Sequence, residues 1–194
     1  MHNYSINSPE RKQVPFVLAF ISIAIVTFAK YKITLPSWIP IPGVFALYGI
    51  FYGIFDKWLW KYFSIIKFIK TPDLNGQWKC ASKSSVDNYV KQYDGTITIH
   101  QTWTSISVFL NGEKFTSKST MAGIHINTDD NFELKWEYTS QKKPQFSVKD
   151  YMHTGMTRVV ANEWPKISFL QGDYFTDRSR HNYGSIEICK IKKA

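Results

Sequence analysis

The period of the hydrophobic positions divides the chain in two. Between Gln13 and Ala29 no residue is charged, and Val14 to Ala29 is apolar around the whole circumference of a helix. Such a helix has no polar face to give to water. It predicts a membrane span over residues 14–32, with Pro15 in the first turn, where its missing N–H costs least. Lys30, Tyr31 and Lys32 follow as interfacial anchors.

A second uncharged run extends from Ile33 to Phe55, and Pro36, Pro40 and Pro42 forbid a continuous helix through its first part. The second helix is therefore expected over residues 42–66. Gly49 and Gly53 lie four apart on one face of it, a spacing that admits a neighbouring helix closely. Trp58, Trp60, Tyr62 and Phe63, interleaved with Lys57, Lys61, Lys67 and Lys70, read as an interfacial belt. Residues 1–70 thus read as a transmembrane hairpin. A cleaved signal peptide followed by a soluble helix is the alternative, and no small-x-small cleavage site follows the first run.

After Thr71-Pro72-Asp73 the period changes to two. Leu74, Gly76, Trp78 and Cys80 share one face; Ile97 and Ile99, then Ile106, Val108 and Leu110, alternate with polar residues. Phe132, Leu134, Trp136 and Tyr138 alternate with Glu133, Lys135 and Glu137. Further strands fit at residues 115–127, 152–161, 166–171 and 183–191, and Asn111-Gly112 reads as a tight hairpin turn. The long strand from Phe115 changes phase, from Phe115/Ser117/Ser119 to Ala122/Ile124/Ile126, and Gly123 is the expected bulge. Residues 71–194 therefore read as an all-β domain: a small, compact, antiparallel eight-stranded barrel of lipocalin-like form. A two-sheet sandwich is the alternative. Barrel closure would pair the first and last strands, and the opposite phases of Cys80 and Cys189 argue against a disulfide between them.

Composition changes this picture little, but the distribution of charge sharpens it. The chain of 194 residues has 24 Lys and Arg against 15 Asp and Glu, a net charge of +9. Most of the excess falls in the first 70 residues, with Arg11, Lys12 and the basic stretch after Asp56 outside the hairpin and only Lys30 and Lys32 in its loop. The positive-inside bias then places both termini and the β-domain in the cytoplasm of a multi-pass protein.

No catalytic constellation is present. The five histidines have no metal-ligand spacing, and there is no phosphate-binding loop, dinucleotide turn or nucleophile elbow. Asp129-Asp130 beside Asn131 reads as a turn. The expectation is no enzyme, no metal and no resident cofactor. Two segments nevertheless carry more chemistry than plain strands require. Met152 to Arg158 places His153, Thr154 and Gly155 where ordinary strands carry Val or Ile. Leu170 to Arg180 offers Tyr174, Thr176, Arg178 and Arg180. Guanidinium forks suit phosphates, and aromatic rings suit bases. An exposed polar hairpin with an Asp177–arginine ion pair is the simpler reading of the second segment.

The order of parts is distinctive. A membrane hairpin precedes Leu74-Asn-Gly-Gln-Trp78, Ile97-x-Ile99-x-Gln101-x-Trp103, Ser117/Ser119, Trp136-Glu-Tyr138, His153-Thr-Gly155, Leu170 to Arg178 and Gly184. This order resembles the membrane-anchored β-barrel effectors of cyclic-oligonucleotide-based anti-phage signalling (CBASS). The resemblance implies a barrel that binds a cyclic di- or oligonucleotide made by a cognate cGAS-like nucleotidyltransferase (CD-NTase). Membrane helices then form a homo-oligomer and breach the inner membrane, with no DNA or RNA polymer as partner. On this reading Arg178 or Arg180 meets phosphate, Tyr174, Trp136 or Tyr138 stacks on a base, Thr176 and His153 complete the site, and Gly49 and Gly53 serve oligomerisation in the membrane. A membrane-tethered, lipocalin-like lipid or small-ligand carrier is the competing class. A membrane enzyme is a third, and it lacks a nucleophile and an acid/base pair.

Overall fold

A computed structural model describes residues 1–32, 43–66, 68–127, 131–146, 152–161, 167–178 and 180–191. Pro36, Pro40, Pro42, Lys67, Asp129, Asp130, Lys166 and Ser179 lie outside the described residues. The chain forms two compact units: Met1–Asn7 with Thr71–Ala194, and Ser8–Lys70. The first seven residues, expected with the helices, group with the β-unit instead.

Helix α1 is Glu10–Lys32, starting four residues before the expected position 14, with Glu10 in its first turn and Lys30 and Lys32 in its last. These charges complement the helix dipole at both ends. At about 1.5 Å per residue it is about 35 Å long, enough for a bilayer core of about 30 Å. Among the described helices it is the one long and apolar enough to cross a membrane by length and composition. The second helical run is α2 (Val44–Ile54), a π-helical stretch (Phe55–Leu59) and α3 (Trp60–Ile65) in direct succession. The continuous helix expected over 42–66 thus begins at Val44 and is widened by one π segment, each piece being too short alone to count as a span.

The β-unit holds nine strands: β1 (His2–Ile6), β2 (Gly76–Ser84), β3 (Gln92–Gln101), β4 (Ser105–Gly112), β5 (Phe115–Ile126), β6 (Phe132–Lys142), β7 (His153–Ala161), β8 (Phe169–Thr176) and β9 (Tyr183–Lys190). Their pairings form a closed circuit, β1-β4-β3-β2-β9-β8-β7-β6-β5, with β5 also paired to β4 and β1. All neighbours are antiparallel except β1 and β5, which run parallel over Tyr4–Ile6. The eight strands expected after residue 70 are present, and a ninth has joined them from the other side of the helices.

β1 has a clear structural reason. β4 and β5 pair directly only over Phe109–Asn111 and Thr116–Lys118. Beyond that the register of β5 shifts between Ser119 and Met121, so the bulge falls at Thr120 rather than at Gly123. Where the strands part, the Ser119 hydroxyl accepts from Val108 N at 2.9 Å and meets His2 Nε2 at 2.8 Å. β1 fills the opening, with its Ser5 opposite Gly123, where a Cβ would meet the serine oxygen at 2.9 Å. Asn7 extends the ladder, exchanging hydrogen bonds with Ile126 N and O.

Two further expectations are corrected. Asn111 and Gly112 are the last residues of β4, and Glu113-Lys114 make the turn. β8 runs over Phe169–Thr176 rather than 166–171, so Asp173, Tyr174 and Thr176 are strand residues. The first and last strands of the 71–194 segment do pair. Cys80 and Cys189 face opposite sides, one buried and one exposed, and both are free thiols.

Inward-facing side chains change character along the barrel. At one end, here the base, Leu74, Trp78, Ile97, Ile99, Leu134 and Leu170 fill the lumen and are almost fully buried. Each such side chain contributes about 1.5–3 kcal/mol by leaving water. Toward the other end, the mouth, the same inward phase passes to polar groups. Trp78 and Cys80 give way to Ser82 and Ser84, Leu134 and Trp136 to Tyr138 and Ser140, and Val159 to Thr157, Gly155 and His153.

Candidate functional site

The packed lumen opens at the mouth into a cavity of about 700 Å³. Clefts of about 300–1,000 Å³ are the usual size for small-molecule sites. The ends of eight strands contribute to it, and β1 does not.

Six of the seven residues expected in the site converge there: Trp136, Tyr138, His153, Tyr174, Thr176 and Arg180. β6, β7 and β8 are neighbours, so the two segments that broke strand character in the sequence lie side by side, with Gly155 opposite Thr176 and Thr157 opposite Tyr174. Arg178 is the exception. It is exposed and does not line the cavity. Its neighbour Asp177 is held inside the hairpin, accepting from Thr154 N at 2.8 Å and Thr154 Oγ1 at 3.1 Å.

Two tyrosines form the aromatic wall. Tyr138 lies directly across from Gly155, and Tyr174 directly across from Gly184. In each pair the ring lies over the bare glycine: a Cβ at Gly155 would strike the Tyr138 hydroxyl, and one at Gly184 would strike the Tyr174 ring and Lys83 O. Burial pushes the Tyr138 phenol up to about 12, with the neighbouring Tyr174 adding to the effect. Burial also raises the Tyr174 phenol, against a hydrogen bond with Ser84 that lowers it. Both phenols stay protonated at neutral pH and can donate to an anionic oxygen.

His153 and Arg180 form a tier above Tyr138. The His153 ring stands edge-on to Tyr138 with centroids 6.5 Å apart. Arg180 Nη1 lies 3.1 Å from Nε2 and 3.2 Å from Nδ1 of the same ring.

Asn182 ties the two hairpin loops at the mouth together. Its side-chain oxygen accepts from Ser84 Oγ at 2.9 Å and Ser85 Oγ at 3.0 Å, and Tyr183 N donates to Ser85 Oγ at 3.2 Å. The β2–β3 loop turns back through two left-handed residues, Asn88 and Tyr89, at φ 53° and 63°. Such non-glycine conformations persist only where surrounding contacts fix them. The Tyr93 hydroxyl supplies one such contact, donating to Asp87 Oδ2 at 3.1 Å.

The sequence reading missed the lysines. Lys91, Lys114 and Lys142 join Arg180 around the cavity, four cationic side chains against the carboxylates of Asp94 and Glu113. Lysine at a strand end is the ordinary mark of a solvated rim, so only their shared position gives them away. Ser82, Ser84, Ser117 and Ser140 were legible in principle, since they occupy the phase that carries the core elsewhere in the same strands.

The arrangement combines flat aromatic faces, hydroxyl donors and a cationic rim in one pocket. It suits a ligand with planar rings and more than one anionic group. Among the described residues no cluster of three or more His, Cys, Asp or Glu is placed to hold a metal.

A closed β-unit with such a mouth is a receptor domain for a polyanionic, ring-bearing small molecule. Residues 69–190 match the family of the Cap15 cyclic dinucleotide receptor domain, and the chain belongs to that family. It is 27% identical over 193 residues to CD-NTase-associated protein 15 of Yersinia aleksiciae, covering 92% of this chain and 86% of that one. A protein of the same name from Staphylococcus schleiferi is 24% identical over 178 residues, covering 91% of each chain. The family match spans β2 to β9 and leaves out β1.

Proposed function

We propose that this chain is a CBASS effector that senses a cyclic dinucleotide at the mouth of its barrel and answers by disrupting the membrane that holds its helices. The observation that carries this reading is the cavity of about 700 Å³, which gathers four cations and an aromatic wall within the very residues, 69–190, that match the receptor family.

Arg180, Lys91, Lys114 and Lys142 would neutralise the phosphates. Trp136, Tyr138 and Tyr174 would stack on the bases, at about 1–3 kcal/mol per stacked base. The protein acts as a sensor rather than an enzyme. α1 and the run from Val44 to Ile65 form a two-helix hairpin in the inner membrane, with the barrel and both termini in the cytoplasm. The ligand must favour an assembled state over the resting one, because equal affinity for both shifts nothing. The lipid-carrier reading fares worse, since the cavity's apolar walls share it with Lys91, Lys114, Lys142 and Arg180, cations that an acyl chain would leave unpaired.

The test is calorimetry of the full-length chain in detergent micelles against a panel of cyclic di- and trinucleotides, with sedimentation in parallel. Saturable binding of one member and a shift to larger species are expected. Arg180→Ala should weaken binding about tenfold or more, the value of a lost charge-assisted hydrogen bond, and Arg178→Ala should leave it within about twofold. Silence toward every member would overturn the reading.

A further inference from the structure

Leu74, Asn75 and Gln101 belong to segments that stand out in the sequence, yet none of them lines the cavity. The structure brings them together at the base of the barrel. Gln101 is the last residue of β3, 4% exposed, on the inward face with Ile97 and Ile99. Its side-chain oxygen accepts from Leu74 N at 2.9 Å. Its amide nitrogen donates to Pro72 O at 3.1 Å and to the Tyr4 hydroxyl at 3.2 Å. Asn75 completes the clasp, accepting from Gln101 N at 2.7 Å and donating to Gln101 O at 2.9 Å.

One buried side chain thereby holds two separate stretches of chain. Tyr4 lies in β1, which runs on into α1; Pro72 and Leu74 lie in the stretch that follows Lys70, the last residue of the helical unit. These are the two stretches through which the barrel is covalently joined to the helices. β3 begins at Gln92, and Gln92, Tyr93 and Asp94 line the cavity. A single strand of ten residues, about 30 Å at the usual rise, thus runs from the ligand site to the clasp.

We propose that the Gln101 clasp couples the occupied mouth to the membrane helices, with Gln101 and Tyr4 as positioning residues that act through β1 and the Pro72–Asn75 segment. This rests on the function proposed above. A ligand changes a distant element only through a structure whose arrangement both sites bias. β3 with its clasp reaches from the cavity to both chain junctions. Neither Gln101 nor Tyr4 lines the cavity, so a change at either acts on coupling and not on ligand contact.

Two full-length variants test it, reconstituted in dye-loaded phosphatidylethanolamine–phosphatidylglycerol vesicles. Tyr4→Phe removes one hydrogen bond of the clasp and keeps the buried ring. Gln101→Glu keeps the oxygen that serves Leu74 N and replaces the donor toward Pro72 O. Both should bind the panel member that saturates the parent within about threefold of the parent's affinity, while dye release induced by that nucleotide falls about tenfold or more. Release that stays at the parent level, or that falls only in step with affinity, would overturn the proposal. Dye release without ligand would overturn it too, since the clasp would then restrain the helices rather than drive them. A parent chain that binds no cyclic nucleotide would instead overturn the reading of the site itself, and the unmodified protein alone reveals that outcome.

Discussion

At Gly184 a methyl group would sit against Lys83 O on one side and the Tyr174 ring on the other. The glycine is needed for this close approach, because φ there is not in the left-handed region. Gly155 does the same for Tyr138, so the aromatic wall is set by the pairs Tyr174–Gly184 and Tyr138–Gly155 rather than by the tyrosines alone. A methyl there would strike the Lys83 carbonyl before the Tyr174 ring, so Gly184→Ala should part β9 from β2 locally as well as displace Tyr174, weakening ligand binding about tenfold and costing about 3 kcal/mol or more of stability. Calorimetry and thermal unfolding of the same variant separate the two effects; unchanged affinity would show that the ring carries no stacked base. At this scale the sequence was partly readable. His153 and Gly155 stood out by interrupting a strand pattern, and Tyr174 and Arg180 by the ring and guanidinium they bring to one short segment. Lys91, Lys114 and Lys142 did not, because nothing local distinguishes a rim lysine that faces a cavity from one that faces bulk water. Arg178 drew attention through its composition, and the turn after Thr176 carried it away from the cavity.

β1 shows the same limit among the elements. The eight later strands follow from alternation and turn residues, and even the phase change in β5 was visible before its cause. Five residues ahead of a hydrophobic helix give no comparable signal, and His2–Ile6 becomes a strand only because β4 and β5 diverge beyond Ser119 and leave a gap to fill. Its Tyr4 is 7% exposed and belongs to the core of the barrel. Removal of residues 2–6 should therefore cost about 3 kcal/mol or more from the lost aromatic alone. It should also leave β4 and β5 with unpaired edges open to association. A fragment of residues 71–194 is expected to melt lower and to self-associate, and tethering residues 1–7 back to it should reverse both changes. Equal melting temperatures and a monomer in both cases would show β1 to be dispensable for the fold.

For the whole molecule, the division into an apolar helical part and a β-part was the most legible feature, because it rests on long windows where the period changes from none to two. The helical unit still carries an unspent feature of the sequence. Gly49 and Gly53 lie on α2, and a Cβ at either would meet nothing within 4 Å. Whatever close approach this face permits is therefore not made among the described residues. In a membrane, where lipid tails offer no hydrophobic drive to bring helices together, small residues promote association by letting backbones come near. Leucine at such a position fills that space, and its Cβ meets none of the described residues. Gly53→Leu is accordingly expected to leave folding unchanged, to lower cyclic dinucleotide affinity only as far as assembly had raised it, and to reduce ligand-induced assembly, read by sedimentation in detergent, and dye release from vesicles, by about tenfold. If Gly53→Leu assembles and releases dye like the parent, the glycine face takes no part in the active state, and the contacts between protomers must be sought on α1 or on the barrel. If it loses nucleotide affinity even at protein concentrations too low for assembly, the helices and the mouth are coupled already in the resting protein.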